Sequence, residues 1–188
     1  MTQELRITGG KWREKLITAP NHHPMRPTTS IDRQRLFNWV DASGLTVLDL
    51  FAGSGMLSWE ALSRGARRAV LVEYSSPALR QLYATRKQLQ AEKVSEIVAA
   101  KLPSRLSRVP KLDYQLIFMD PPFELGLMIS TCKALEEGGY LSKNAKLYLE
   151  CESSLALLNL VCVQWPHWQL LKQAKRGRVS QYLFQVSG

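Results

Sequence analysis

The chain is poor in cysteine and histidine, with three of each in 188 residues. Cys132, Cys151 and Cys162 lie far apart and form no Cys-x-x-Cys pair, which argues against a disulfide framework or a zinc site. His22 and His23 are adjacent and His167 is remote, so none has the spacing of helix-borne ligands, and no metal is expected. No apolar run approaches the roughly 18–20 residues of a membrane span, and MTQELRITGG has no apolar core of the signal-peptide kind. Repeats, low-complexity tracts and linkers are also missing. The 45% hydrophobic and 22% charged residues argue against long disorder. These absences predict a soluble, cytoplasmic protein with no membrane partner. A monomer is the default for a chain of this size without a coiled coil.

Acidic residues are scarce as well: 16 against 25 Lys and Arg leave a net charge of +9. Residues 1–40 carry +4, residues 166–188 carry +4 with no acid, and the 125 residues between contribute only +1. A fold that joined these ends on one face would make a basic patch suited to a phosphate backbone.

What is present is alternation. Leu5–Ile7 and Lys15–Thr18 read as short strands before a helix over Thr29–Asp41, capped by Thr29 or Ser30. Apolar strands follow at Thr46–Leu50, Ala69–Glu73, Glu96–Ala99, Leu116–Asp120 and Leu147–Glu150. Between them lie helices over Met56–Arg64, from Ser76-Pro77 through Leu79, Leu82, Tyr83, Arg86 and Leu89, and over Leu125–Glu137. Trp168–Lys172 and Tyr182–Val186 read as a final antiparallel pair across a basic loop. The order predicts an α/β fold with a mostly parallel sheet, whose ligands bind at the C-terminal ends of the strands.

Three motifs fall at those ends. Asp49-Leu50-Phe51-Ala52-Gly53-Ser54-Gly55 ends a strand and opens a helix. Its glycines permit close backbone approach to a ligand. The third glycine of a dinucleotide fingerprint is replaced by Ser58. An acid before the loop suits the cationic methionine end of S-adenosylmethionine better than a pyrophosphate. Glu73 ends the next strand, where α/β nucleotide sites place a carboxylate on ribose hydroxyls. Asp120-Pro121-Pro122-Phe123 follows the LIFMD strand. The prolines stiffen the turn and remove two donors. Asp120 and the Pro121 carbonyl could accept both N–H bonds of an exocyclic amine, while Phe123 stacks on the base.

With these strings in view, the chain resembles the bacterial 16S ribosomal RNA guanine-N2 methyltransferases of the small subunit. The resemblance rests on Arg6–Arg13, Arg26-Pro27-Thr28-Thr29, Leu36–Trp39, Asp49–Gly55, Glu60–Ala66 and Asp120–Phe123. It implies a Rossmann-like class I methyltransferase domain over residues 29–188, with a seven-stranded sheet flanked by helices, behind an RNA-binding extension over residues 1–28. It implies S-adenosylmethionine held by Asp49, Phe51, Ala52, Gly53, Ser54, Gly55, Glu73, Tyr74, Lys101 and Leu102. The target guanine, flipped from 16S rRNA within a small-subunit particle, would sit at Asp120, Pro121, Pro122 and Phe123. Arg6, Lys11, Arg13, Arg26, Thr28, Thr29, Arg33, Lys175, Arg176 and Arg178 would meet the RNA. The chain departs from the family pattern at Ser30, Ile31 and Gln34, at Ser58 in place of Gly, at Ser75, and at Lys101-Leu102 in place of an Asp or Asn followed by Ala. Two alternatives therefore stay open: an adenine-N6 methyltransferase using the same acceptor motif, and an RNA-binding assembly protein with a decayed cofactor site.

Overall fold

The computed structural model describes residues 2–20, 29–122, 125–152 and 155–187. The chain opens with a hairpin, β1 (Thr2–Arg6) and β2 (Leu16–Pro20). Then follow α1 (Ser30–Trp39), β3 (Thr46–Asp49), α2 (Met56–Ser63), β4 (Arg68–Glu73), α3 (Ser76–Gln88) and β5 (Ser95–Ala99). The second half runs β6 (Leu116–Met119), α4 (Leu125–Glu137), β7 (Lys146–Glu152), α5 (Leu155–Gln164), β8 (Trp168–Arg176) and β9 (Val179–Val186).

Seven strands form one sheet in the order β5-β4-β3-β6-β7-β9-β8, parallel except for β9, which runs antiparallel to both β7 and β8. The chain winds outward from β3 in one direction, then returns to β6 on the other side. The reversal of strand order therefore lies between β3 and β6, where an open α/β sheet leaves its ligand crevice. The strand pattern matches the expected α/β sheet of seven strands.

Helices must cover both faces of a parallel sheet, because neither face can meet water. Alternate strand residues divide into two cores. Val47, Leu71, Leu116, Phe118, Tyr148 and Leu183 pack with Leu36 and Phe37 of α1, with α2, and with Ile7, Trp12 and Ile17 of the N-terminal segment. Leu48, Val70, Ile117, Met119, Leu149 and Phe184 pack on the opposite face with Met128 and Cys132 of α4 and Leu157 and Val161 of α5. Phe118 is a hub of the first core, edge-on to Phe37 and to Tyr148 with ring centroids 6.2 Å apart in each pair.

Three elements differ from the periodicity reading. Helix α5 was not expected: LALLNLVCVQ is apolar on all sides, so it carries no helical stripe. Only tertiary packing selects Leu157, Val161 and Trp165 for burial, leaving Leu160 and Val163 exposed. Strand β8 runs on through the basic residues to Arg176, with a register irregularity between Leu170 and Lys172. In α3 the buried positions are Ala78, Leu82 and Thr85, whereas Tyr83, expected on the apolar face, is exposed.

A buried charge cluster ties the N-terminal hairpin to the sheet domain. Glu60 on α2 is fully buried and accepts from Arg33 Nε at 3.1 Å, Arg64 Nη2 at 2.9 Å, and the Thr8 backbone N–H at 3.2 Å. The Thr8 hydroxyl also donates to it. Arg33 further donates to the Arg6 carbonyl at 2.7 Å.

Candidate functional site

The glycine loop is built by its two neighbouring strands. Leu50 N–H donates to the Phe118 carbonyl on the β6 side at 3.1 Å, and Ala52 N–H to the Val72 carbonyl on the β4 side at 2.9 Å. Gly55 caps α2 in the left-handed region at φ 75°. A Cβ there would meet Trp59 Nε1 at 2.4 Å and Leu82 Cδ2 at 2.7 Å, so conformation and space both require glycine. Trp59 Nε1–H donates to the Ser54 carbonyl at 3.0 Å, which fixes the loop from the helix side.

Glu73 organises the same loop. Its carboxylate accepts from the Gly53 backbone N–H at 2.9 Å and from those of Tyr74 and Ser75 at 2.7 Å each. The ends of β3 and β4 are thereby locked together. Tyr74 projects from this edge, 59% exposed, with the Lys101 ammonium 5.9 Å from its ring centroid. Leu102 is buried beneath, Phe51 is half-buried, and Ala52 and Gly53 are buried.

Asp49 is buried rather than presented to solvent, and accepts from Ser58 Oγ at 2.7 Å. Burial foremost, with Glu73 adding to it, pushes its carboxyl up to about 7, although the Ser58 hydrogen bond opposes the rise. Stability should respond in a defined direction. Below about pH 4 the carboxyl is protonated whether the chain is folded or not. Between about pH 4 and 7 the unfolded chain ionises while the fold retains the proton, so stability falls as pH rises, by at most about 4 kcal/mol. Asp49→Asn should remove this slope. Urea melts at pH 5 and pH 8 should therefore show the variant gaining on the wild type at the higher pH.

Asp120 leaves β6 directly beside the glycine loop, since Asp49 pairs with Phe118. By alternation Asp49, Glu73, Asp120 and Glu150 all stand on the face that carries Phe118 and Tyr148. Register continues the row: Met119 pairs with Leu149, which puts Asp120 next to Glu150, and Glu150 pairs with Gln181 on β9. Tyr148 OH donates to Glu150 Oε2 at 2.6 Å. Gln181 Oε1 accepts from Arg35 Nη1 at 3.0 Å, and the same Arg35 atom reaches Asp32 Oδ1 at 3.0 Å. Pro121 is buried and Pro122 half-buried. Phe123 lies outside the described residues, as do Arg26 and Thr28.

The expected RNA contacts divide. Arg33 is corrected: it is 2% exposed and paired with Glu60, so it holds the fold together and offers nothing to a phosphate. Thr29 caps α1, accepting from Asp32 N–H at 3.3 Å and from Arg176. Arg176 also pairs with Asp32 Oδ2 at 3.0 Å, so it latches the β8–β9 turn to the start of α1. Lys175 and Arg178 are exposed on that turn. Arg6 pairs with exposed Glu14 at 2.6 Å, Lys11 lies over Trp12, and Arg13 is exposed. Lys11 and Arg13 stand near Ser63, at the far end of α2 from Gly55, since Ser63 Oγ accepts from Trp12 N–H and donates to Gly9 O. An eight-residue helix puts that end about 12 Å from the loop. Arg33, next in sequence to the Asp32 that holds Arg176, also holds the Arg6 carbonyl, so the hairpin and the Arg176 turn both meet the start of α1.

Sequence reasoning named Ser58 only as a departure from glycine, and passed over Tyr148, Glu150, Gln181, Asp32 and Arg35. Glu150 carried the same signal as Glu73, an acid closing a buried strand. Gln181 and Arg35 carried none, because they meet only through strand pairing and helix packing. Among the described residues no cluster of His, Cys, Asp or Glu suits a metal, and no helix is long and apolar enough to cross a membrane.

Comparison with known proteins agrees with this geometry. The chain is 35% identical over 187 residues to ribosomal RNA small subunit methyltransferase D of Escherichia coli, covering 97% of this chain and 90% of the relative. It is 33% identical over 189 residues to the Haemophilus influenzae protein of the same name, covering 97% and 94%. The solved structure of the Escherichia coli protein yhhF superposes with a TM-score of 0.83 at 33% identity over 99% of both chains. The fold is thus the Rossmann-like class I methyltransferase fold. With residues 5–185 matched by the model of the family described as Conserved hypothetical protein 95, this chain belongs to that family, together with the ribosomal RNA small subunit methyltransferases D.

Proposed function

We propose that the protein methylates ribosomal RNA, transferring the methyl group of S-adenosylmethionine to the exocyclic N2 amine of a guanine in 16S rRNA. The observation that carries this reading is the adjacency of the glycine loop and Asp120-Pro121 on neighbouring strands of the same sheet edge. Donor and acceptor then meet across the reversal of strand order, and positioning of that kind can be worth roughly 7–11 kcal/mol. Full-length similarity to the named rRNA methyltransferases supports the RNA substrate.

The residues fit the cofactor. The Gly53–Gly55 backbone admits a ligand closely, the Glu73 carboxylate suits ribose hydroxyls, and Tyr74 offers an exposed ring beside that acid. Held there, S-adenosylmethionine would supply a methyl carbon activated on a sulfonium, which the N2 lone pair would displace with the bonding electrons left on sulfur. Asp120 and the Pro121 carbonyl accept the N2 hydrogens, which favours the pyramidal nitrogen of the transition state. The proton released from N2 is accepted at Asp120. Phe123 would stack on the base, and the segment over residues 1–28 would extend the RNA contact.

The test is transfer of labelled methyl to unmethylated small ribosomal subunits and to naked 16S rRNA, with nucleoside analysis. N2-methylguanosine supports the proposal and shows which substrate is competent. N6-methyladenosine replaces the target. No label, from folded protein beside an active control enzyme, rejects catalysis.

Lys175 and Arg178 are the cations of the C-terminal turn that no ion pair engages among the described residues, so they are its best phosphate ligands. Exchanging both for Glu should weaken RNA binding and lower the slope of log affinity against log salt by about 1–2. An unchanged slope would place the turn away from the RNA.

A further inference from the structure

We propose that Glu150 selects guanine, its carboxylate accepting the N1–H of the target base while Asp120 accepts from the neighbouring N2 amine. The inference rests on the guanine-N2 reading above and adds the residue that tells guanine from other 2-amino bases.

The geometry comes from the strand register. Asp120 directly follows β6 and Glu150 lies two residues before the end of neighbouring β7, on one face and in the row fixed by the Met119–Leu149 pair. Neighbouring strands lie about 4.8 Å apart, within reach of the two adjacent donors on one base edge. Guanine presents those donors side by side, N2–H and N1–H, whereas a 2-amino base without the N1 proton presents a lone pair at N1. A carboxylate attracts the first pattern and repels the second.

Glu150 is shaped for such a task. It is 5% exposed, and a carboxylate held out of water forms stronger contacts with a charge-matched donor. Tyr148 OH, donating at 2.6 Å, fixes its orientation, and a carboxylate has about four lone-pair sites, so it serves several donors at once. The Tyr148 phenol is held well above its ordinary range, by burial first, then by Glu150, with Asp120 and Asp32 contributing, so the hydroxyl remains a donor. One strand further, Gln181 is 1% exposed and its Oε1 is held by Arg35, while its Nε2 has no hydrogen-bond partner among the described residues. A buried donor left so calls for an explanation. An acceptor next to N1, as guanine O6 is, would answer it. Asp120 and Glu150 thus offer two acceptors to the N2 and N1 donors of one guanine edge, with the unpartnered Gln181 donor one strand beyond.

The experiment compares guanosine with 2-aminopurine at the mapped target position, in the substrate that supports wild-type transfer. 2-Aminopurine keeps the 2-amino group and lacks both the N1 proton and O6. Wild type should prefer guanosine by on the order of 10²-fold or more in kcat/KM. Glu150→Gln can donate to N1, so the preference should shrink at least about tenfold, mostly by a lower rate on guanosine. Tyr148→Phe, which keeps the carboxylate but not its orientation, should shift the preference in the same direction by less. If Glu150→Gln lowers both substrates in parallel, the residue is structural and the inference is overturned. If wild type itself forms no N2-methylguanosine, the functional reading fails first, and that outcome is separate.

Discussion

Asp120→Ala should lower methyl transfer by on the order of 10²–10³-fold while S-adenosylmethionine still binds. The reason lies in when each interaction acts. Asp120 meets the acceptor amine as its nitrogen pyramidalises, so its contact strengthens in the transition state and is absent from the cofactor complex. The cofactor loop is instead fixed by Glu73, Trp59 and the backbone of β4 and β6, none of which needs the Asp120 side chain. Calorimetric affinity for the cofactor should therefore change less than about threefold, and the loss should appear in kcat at saturating RNA. Asp120→Asn keeps an acceptor oxygen and should fall between the two. A variant that transfers at the wild-type rate would remove Asp120 from the chemistry.

Glu60→Ala should be strongly destabilising, by about 3–5 kcal/mol. Glu60 is the counter-charge of Arg33, and both are buried, at 0% and 2% exposure. Burial pushes the Arg33 guanidinium down, and Glu60 is the main influence that opposes the shift. Removing the carboxylate strands that charge and releases Thr8 and Arg64 as well. In a domain of this size each kcal/mol moves Tm by about 2–4 °C, so a drop of about 6–20 °C is expected. Arg33→Met combined with Glu60→Gln should recover much of it, because no bare charge remains. A calorimetric scan showing full stability in Glu60→Ala would mean that the cluster contributes only orientation.

Much of the architecture was legible in advance because buried parallel strands are continuous apolar runs. TVLD, RAVLVE, LIFM and KLYLECE announce themselves, and each ends in or just before an acid. The loop and the acceptor motif were legible because local backbone demands write them directly: glycine where φ is positive, proline where a turn must be stiff. Helix α5 was not legible, since a segment apolar on every side gives no period. Arg33 misled for a related reason. The resemblance to the methyltransferase family implied an RNA contact for Arg33, and only the packing of α1 against α2 shows that Glu60 claims it.

The sequence alone determined the alternation of strands and helices, the glycine loop, the strand-end acids and the basic balance, because each depends on residues near one another in the chain. The tertiary structure decided which charges are buried and which side chains share a row. Asp120, Glu150 and Gln181 become neighbours only when β6, β7 and β9 pair in register. Arg176 likewise meets Asp32 across 144 residues of chain. Such contacts follow from strand register and helix packing, which the whole core sets at once and no local pattern encodes.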